Sequence, residues 1–87
     1  MTEKDVVVRN RAGIHARPAA ILVQTAAKYS SQIEFSTENE TINAKSIMGI
    51  ITLGAGYNST ITIKADGEDE EEAVATIAQL FESGFEE

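Results

Sequence analysis

The apolar residues of this chain change their spacing repeatedly, and each change must be a change of secondary structure. The segment EKDVVVR is β-branched and predicts a first strand around Asp5 to Val8. After Gly13 the spacing becomes helical. Ala19, Leu22, Val23 and Ala26 recur at i, i+3, i+4 and i+7, one stripe on a helix of about three turns. SSQIEFSTENETINA then alternates, with Ile33 and Phe35 inward and Ile42 facing them across a polar turn at Glu38 and Asn39. STITIKA alternates again through Ile61, Ile63 and Ala65. The last stretch opens on DGEDEEEA and carries Ala73, Val74, Ile77, Leu80 and Phe81 at helical spacing, its acidic first turn suited to the positive end of the dipole.

One segment, SIMGIITLG, fits either a buried strand or a short helix by periodicity. Ser46 before the apolar run and Gly54 after it are good caps, and they favour a helix of two turns. The sum is four strands and three helices in the order βαββαβα. Amphipathic helices with one apolar stripe each need a sheet to cover, so the predicted class is α+β, an open-faced β-sandwich with the helices on one face. No repeat, low-complexity linker or break in composition divides the chain, and 1–87 is expected to form a single domain.

Such a chain buries on the order of 60% of its unfolded surface, enough to fold alone. It has no cysteine and few aromatic residues, so the core must be aliphatic and no thiolate can hold a metal. The start, MTEKDVVV, lacks the apolar stretch of a secretory signal, and IMGIITL is far too short to span a bilayer, which implies a cytoplasmic protein with no membrane partner. A net charge of −7 argues against nucleic acid as a direct partner. The charge is uneven. Residues 1–30 hold five of the seven basic side chains against two acids, and the remainder holds two against twelve.

The sole histidine and the sole proline lie in that basic third, in GIHARPAA, residues 13–20. With a helix starting near Ala16, Pro18 falls in the first turn, where a missing N–H costs nothing, and His15 becomes the N-cap. Ser, Thr, Asp or Asn would bond the orphan amides better, so histidine there gives up about 1 kcal/mol. A lone histidine in a small domain is far more often a surface or cap residue than a functional one. Here, however, a residue that breaks a local rule sits among groups that suit an anion. The N–H groups of Ala16 and Arg17 precede the helical ladder and, with the dipole, make an anion site. Arg17 can add a bidentate contact to phosphate oxygens, and Gly13 lets the backbone turn closely beneath the ring. The chemistry these residues point to is phosphoryl transfer, in which a protein mainly positions groups and stabilises charge.

AGIHARPAA together with NAKSIMGIITLGAG resembles the HPr family, the histidine-containing phosphocarriers of the bacterial phosphoenolpyruvate:sugar phosphotransferase system. The likeness runs over essentially the whole chain in length and element order. It implies a four-stranded antiparallel sheet covered by three helices. It also implies that His15 accepts a phosphoryl group on Nδ1 from enzyme I and delivers it to the A domains of sugar-specific enzymes II, with Arg17 in support. On this resemblance the chain is a monomeric, stoichiometric carrier without a cofactor, not a turnover enzyme. Ser46, followed by Ile47 and Met48, matches the serine that the Gram-positive branch submits to HPr kinase/phosphorylase. The phospho-serine form there acts as corepressor with the catabolite control protein.

Without that resemblance Ser46 reads simply as an N-cap. The helix it starts has more apolar surface than two turns can bury against one sheet face. Ile47, Met48 and Ile51 are therefore expected to face solvent beside His15 and to dock onto enzyme I and enzyme II domains, with a core role as the competing reading. GAG at 54–56 is a poor phosphate loop and a better turn, EDEEE at 68–72 is a solvated helix start, and no metal site is expected. Ala20 and Ala27 put no polar group beside the site. Two other functions compete: a Crh-type regulator acting through Ser46 alone, which His15 argues against, and a ligand-binding α+β domain without phosphate chemistry.

Overall fold

The computed structural model describes residues 1–86. The elements are β1 (Thr2–Val7), α1 (Ala16–Ala26), β2 (Gln32–Ser36), β3 (Thr41–Asn43), α2 (Ile47–Leu53), β4 (Thr60–Asp66) and α3 (Glu70–Glu82), followed by a 3-10 turn at Gly84–Glu86. The four strands form one antiparallel sheet in the order β1-β4-β2-β3. This is the predicted open-faced α+β sandwich. Strand alternation shows which face is covered: Val6, Ile33, Phe35, Ile61, Ile63 and Ala65 are buried, while Asp5, Gln32, Glu34 and Asp66 between them are exposed.

The helices close the apolar face. α3 packs on β1 and β4, α2 lies against β3, and α1 joins the other two helices. Phe81 of α3 meets Phe35 of β2 edge to face with ring centroids 5.7 Å apart, and Phe85 meets Phe81 at 5.3 Å. Leu22 and Ala19 from α1, Ile50 from α2 and Ile77 from α3 fill the space between, all at most 1% exposed. The hairpin register sets Phe35 opposite Ile42, as the alternation required.

The first strand differs from the expectation at both ends. Thr2, Glu3 and Lys4 join it because β4 offers them partners at Ala65, Lys64 and Ile63, a tertiary gain that overrides weak local propensity. Val8 lies just past the strand but stays buried, and it trades hydrogen bonds with the loop before β4 through Val8 N–H to Ser59 O and Asn58 N–H to Val8 O, both 2.9 Å. That exchange carries the β1–β4 pairing one residue further, and residues 9–14 then lead to α1.

The acidic start of α3 is more than a solvated cap. The Asp69 carboxylate accepts from the Ser30 amide at 2.9 Å, the Ser31 amide at 3.0 Å and the Ser31 hydroxyl. It thereby ties α3 to the turn before β2.

Candidate functional site

His15 is the N-cap of α1, in extended backbone at φ −89° and ψ −166°. The first bond of the helical ladder runs from Ala19 N–H to His15 O at 3.0 Å, so the amides of Ala16 and Arg17 lie before it. Pro18 occupies the first turn and has no N–H to leave unpaired. His15, Ala16 and Arg17 are all exposed. The side chain of His15 makes no capping bond to the helix, so its ring is not spent on the task that a Ser or Asp would perform there.

The backbone that leads into His15 is fixed by the residues before it. Gly13 has φ +74°, and a Cβ added there would come within 2.8 Å of Ala55 O. Only glycine allows both that angle and that approach. The next residue, Ile14, is 5% exposed, and its amide donates to Ala55 O at 2.9 Å. The loop at 54–56 therefore holds the histidine segment, and the turn itself falls just after it, at Tyr57 and Asn58. Across the same two loops the Arg11 guanidinium lies over the Tyr57 ring, 6.0 Å from its centroid.

Ser46 is the N-cap of α2, and its Oγ accepts from Gly49 N–H at 3.0 Å. Gly54 ends the helix in the left-handed conformation at φ +62°. Between these caps Ile50 is buried, while Ile47, Met48 and Ile51 are 41%, 67% and 40% exposed. The split foreseen from the sequence is present, and α2 carries an open apolar face while packing against α1. Ala20 is half-buried in α1, whereas Ala27 is its C-cap at the opposite end, roughly 18 Å from His15 at 1.5 Å per residue. Ala27 therefore does not flank the ring.

The sequence reading missed Asn10 and Ala55. Asn10 is 5% exposed, and its Nδ2 donates to Gly13 O. An Asn three positions before a glycine is a recognisable turn signal, but nothing local marks Ala55 as the acceptor for Ile14. Among the described residues no group of three His, Cys, Asp or Glu side chains is placed to hold a metal, and no helix is long and apolar enough to cross a membrane.

A family model described as "PTS HPr component phosphorylation site" matches residues 2–83. The chain belongs to the HPr family. The phosphocarrier protein HPr of Treponema pallidum (strain Nichols) is 45% identical over 87 residues, covering 100% of this chain and 99% of that one. The crystal structure of HPr-C-His from Thermoanaerobacter tengcongensis matches with a TM-score of 0.96 at 48% identity, covering 100% of this chain and 98% of the other. Crh, the catabolite repression protein of Bacillus subtilis, matches with a TM-score of 0.78 at 37% identity over 97% of each chain, in a crystal structure described as a dimer with a swapped domain. HPr proteins are phosphocarriers of the phosphotransferase system and not enzymes, and this chain shares their four-stranded sheet and three helices.

Proposed function

We propose that His15 of this HPr chain accepts a phosphoryl group on Nδ1 from phospho-enzyme I and passes it to the A domains of sugar-specific enzymes II. The observation that carries this reading is the exposed histidine at the N-cap of α1, its side chain not used for capping and Arg17 exposed in the first turn. A nitrogen lone pair attacks phosphorus as the bond to the donor breaks, and charge spreads over the three equatorial oxygens. The Ala16 and Arg17 amides and the Arg17 guanidinium are the donors for those oxygens. Delivery reverses the step onto the acceptor, and the ring returns unchanged. The chain acts in the cytoplasm as one 1–87 unit and as a monomer. Light scattering tests the last point, and a mass of twice 9.4 kDa would overturn it.

Incubation with phosphoenolpyruvate, Mg²⁺ and enzyme I, followed by intact-mass measurement at neutral pH and after mild acid, tests the carrier role. An acid-labile gain of one phosphoryl group, absent in His15→Ala, is expected. Normal transfer by His15→Ala would sink the reading.

Regulation at Ser46 is supported by its place as cap beside an exposed apolar face and by the likeness to Crh. A phosphoserine would bring about −1.5 to −2 charges to the start of α2, a place that tolerates negative charge, so the fold should persist. The added charge acts on partners and on a second anion arriving at His15. Ser46→Asp is expected to slow phosphorylation by enzyme I. Unchanged kinetics would remove the crosstalk while leaving the carrier role intact.

A further inference from the structure

We propose that Asn10 is a positioning residue for His15, its side-chain amide clamping the turn from which the phosphoryl-accepting ring departs. The proposal rests on the reading of His15 as that acceptor. Asn10 is 5% exposed and lies five positions before His15. Its backbone carbonyl accepts from Gly13 N–H at 3.0 Å, and its Nδ2 donates to Gly13 O. One residue thus holds both polar groups of the glycine. The next amide, Ile14 N–H, is held by Ala55 O at 2.9 Å, and the Ile14 side chain is buried. The chain then enters α1 through His15 itself.

Gly13 is the soft point in this series. Glycine has no Cβ to restrict its dihedrals, so its carbonyl turns freely unless something holds it. Rotation there would carry His15 with it, because only Ile14 lies between. Gly13 C=O and Ile14 N–H belong to one planar peptide, and the Nδ2 bond pins its carbonyl side while Ala55 O pins its amide side, so that together they block the rotation. The amide orientation follows from the same contact, since Oδ1 in place of Nδ2 would set oxygen against the Gly13 carbonyl.

Packing alone does not account for an asparagine here. No group among the described residues donates to its Oδ1, which is buried. A buried polar atom left in that condition is unfavourable, and an apolar side chain of the same size would avoid it. Such a side chain could not hold Gly13. A buried polar group left half-satisfied calls for an explanation other than packing. Phosphoryl transfer supplies one, because it depends on placement, and a shift of about 1 Å at the acceptor is worth about a hundredfold in rate.

The test compares Asn10→Ala and the isosteric Asn10→Asp, whose carboxylate cannot donate to Gly13, with Ser31→Ala. The last removes a buried hydroxyl bonded to Asp69 and serves as a stability control. Phosphorylation by enzyme I at several carrier concentrations gives kcat and KM. In both Asn10 variants kcat is expected to fall about tenfold or more, with KM held within about twofold because Ile47, Met48 and Ile51 are untouched. Ser31→Ala should change neither by more than about twofold. A smaller fall in kcat, or a rise in KM in its place, overturns the clamp. Should Asn10→Ala not fold, Asn10→Asp carries the comparison. Amide hydrogen exchange at Gly13 and Ile14 needs no phosphorylation. Faster exchange in the Asn10 variant than in Ser31→Ala of matched stability is expected, and equal exchange overturns the proposal. A wild-type chain that takes no phosphoryl group would overturn the reading of His15 instead, and the exchange measurement would still decide the clamp.

Discussion

His15 and Ser46 hold the same position at the starts of two packed helices, both in extended backbone, and their side chains are used in opposite ways. Ser46 turns its hydroxyl back onto Gly49 N–H and satisfies a donor of its own helix. The His15 side chain makes no such cap bond to α1. On the proposed reading, the difference leaves the start of α1 to an anion while α2 is closed by its own cap. Gly13 is the residue on which the first arrangement turns. In Gly13→Ala a left-handed φ costs about 1–2 kcal/mol, and the new Cβ would meet the Ala55 carbonyl oxygen at 2.8 Å. The variant is expected to unfold at lower urea than wild type and to be phosphorylated more slowly even where it is fully folded. A urea midpoint equal to that of wild type would show that the loop at 54–56 yields, and that the contact does not hold the histidine.

At the scale of elements, the helix–strand ambiguity of α2 was resolved by its caps, not by its apolar run. Ser46 and Gly54 are local signals and were legible. The same holds for α1, whose start is marked by Pro18 and by the spacing of Ala19, Leu22 and Ala26. The candidate site was legible as far as it is local: the N-cap places of His15 and Ser46 and the first-turn place of Arg17 follow from signals within a few residues. Its support was not legible. Ile14 bonds to Ala55, 41 positions on, and Asp69 bonds to Ser30 and Ser31, 39 and 38 positions back. Nothing in a local window encodes such pairs. The start of β1 escaped for the same reason, since Thr2 to Lys4 are strand only because β4 lies beside them. The two faces of α2 make a prediction of their own. Met48→Asp should weaken phosphorylation by enzyme I by raising KM, with the melting temperature nearly unchanged, because Met48 is 67% exposed. Ile50→Ala, at 1% exposure, should instead cost about 2–5 kcal/mol in stability. A loss of stability in Met48→Asp as large as in Ile50→Ala would return Met48 to the core and remove it from the proposed docking face.

For the molecule as a whole, charge is the property most unevenly placed, and its consequence is a specific response to acid. The chain carries −7 at neutral pH, with most of its acids beyond residue 30. Exposed acids repel one another, and protonating them relieves that repulsion, an effect that salt screens over about 8 Å at physiological ionic strength. Two carboxylates act in the opposite sense. The Ser31 hydroxyl, then the Ser30 amide, hold the Asp69 carboxyl down at about 2 from an ordinary 3.8. The Thr2 hydroxyl, then the Gly67 amide, hold Glu70 down at about 2 from an ordinary 4.5. Both groups are therefore ionised more readily in the folded chain than in the unfolded one. Their contribution is complete above the unfolded values and is lost as pH falls through the folded ones. The window lies between roughly pH 4.5 and pH 2, where α3 loses its ties to the 30–31 turn and to the start of β1. Asp69→Asn separates this loss from the general relief of repulsion, because it removes one carboxylate and leaves the rest. The melting temperature of wild type should exceed that of the variant by a constant amount above about pH 5, and the gap should close toward pH 2. A gap that stays the same across that range would mean that Asp69 holds the serine turn as a neutral acceptor, and that acid weakens the fold elsewhere.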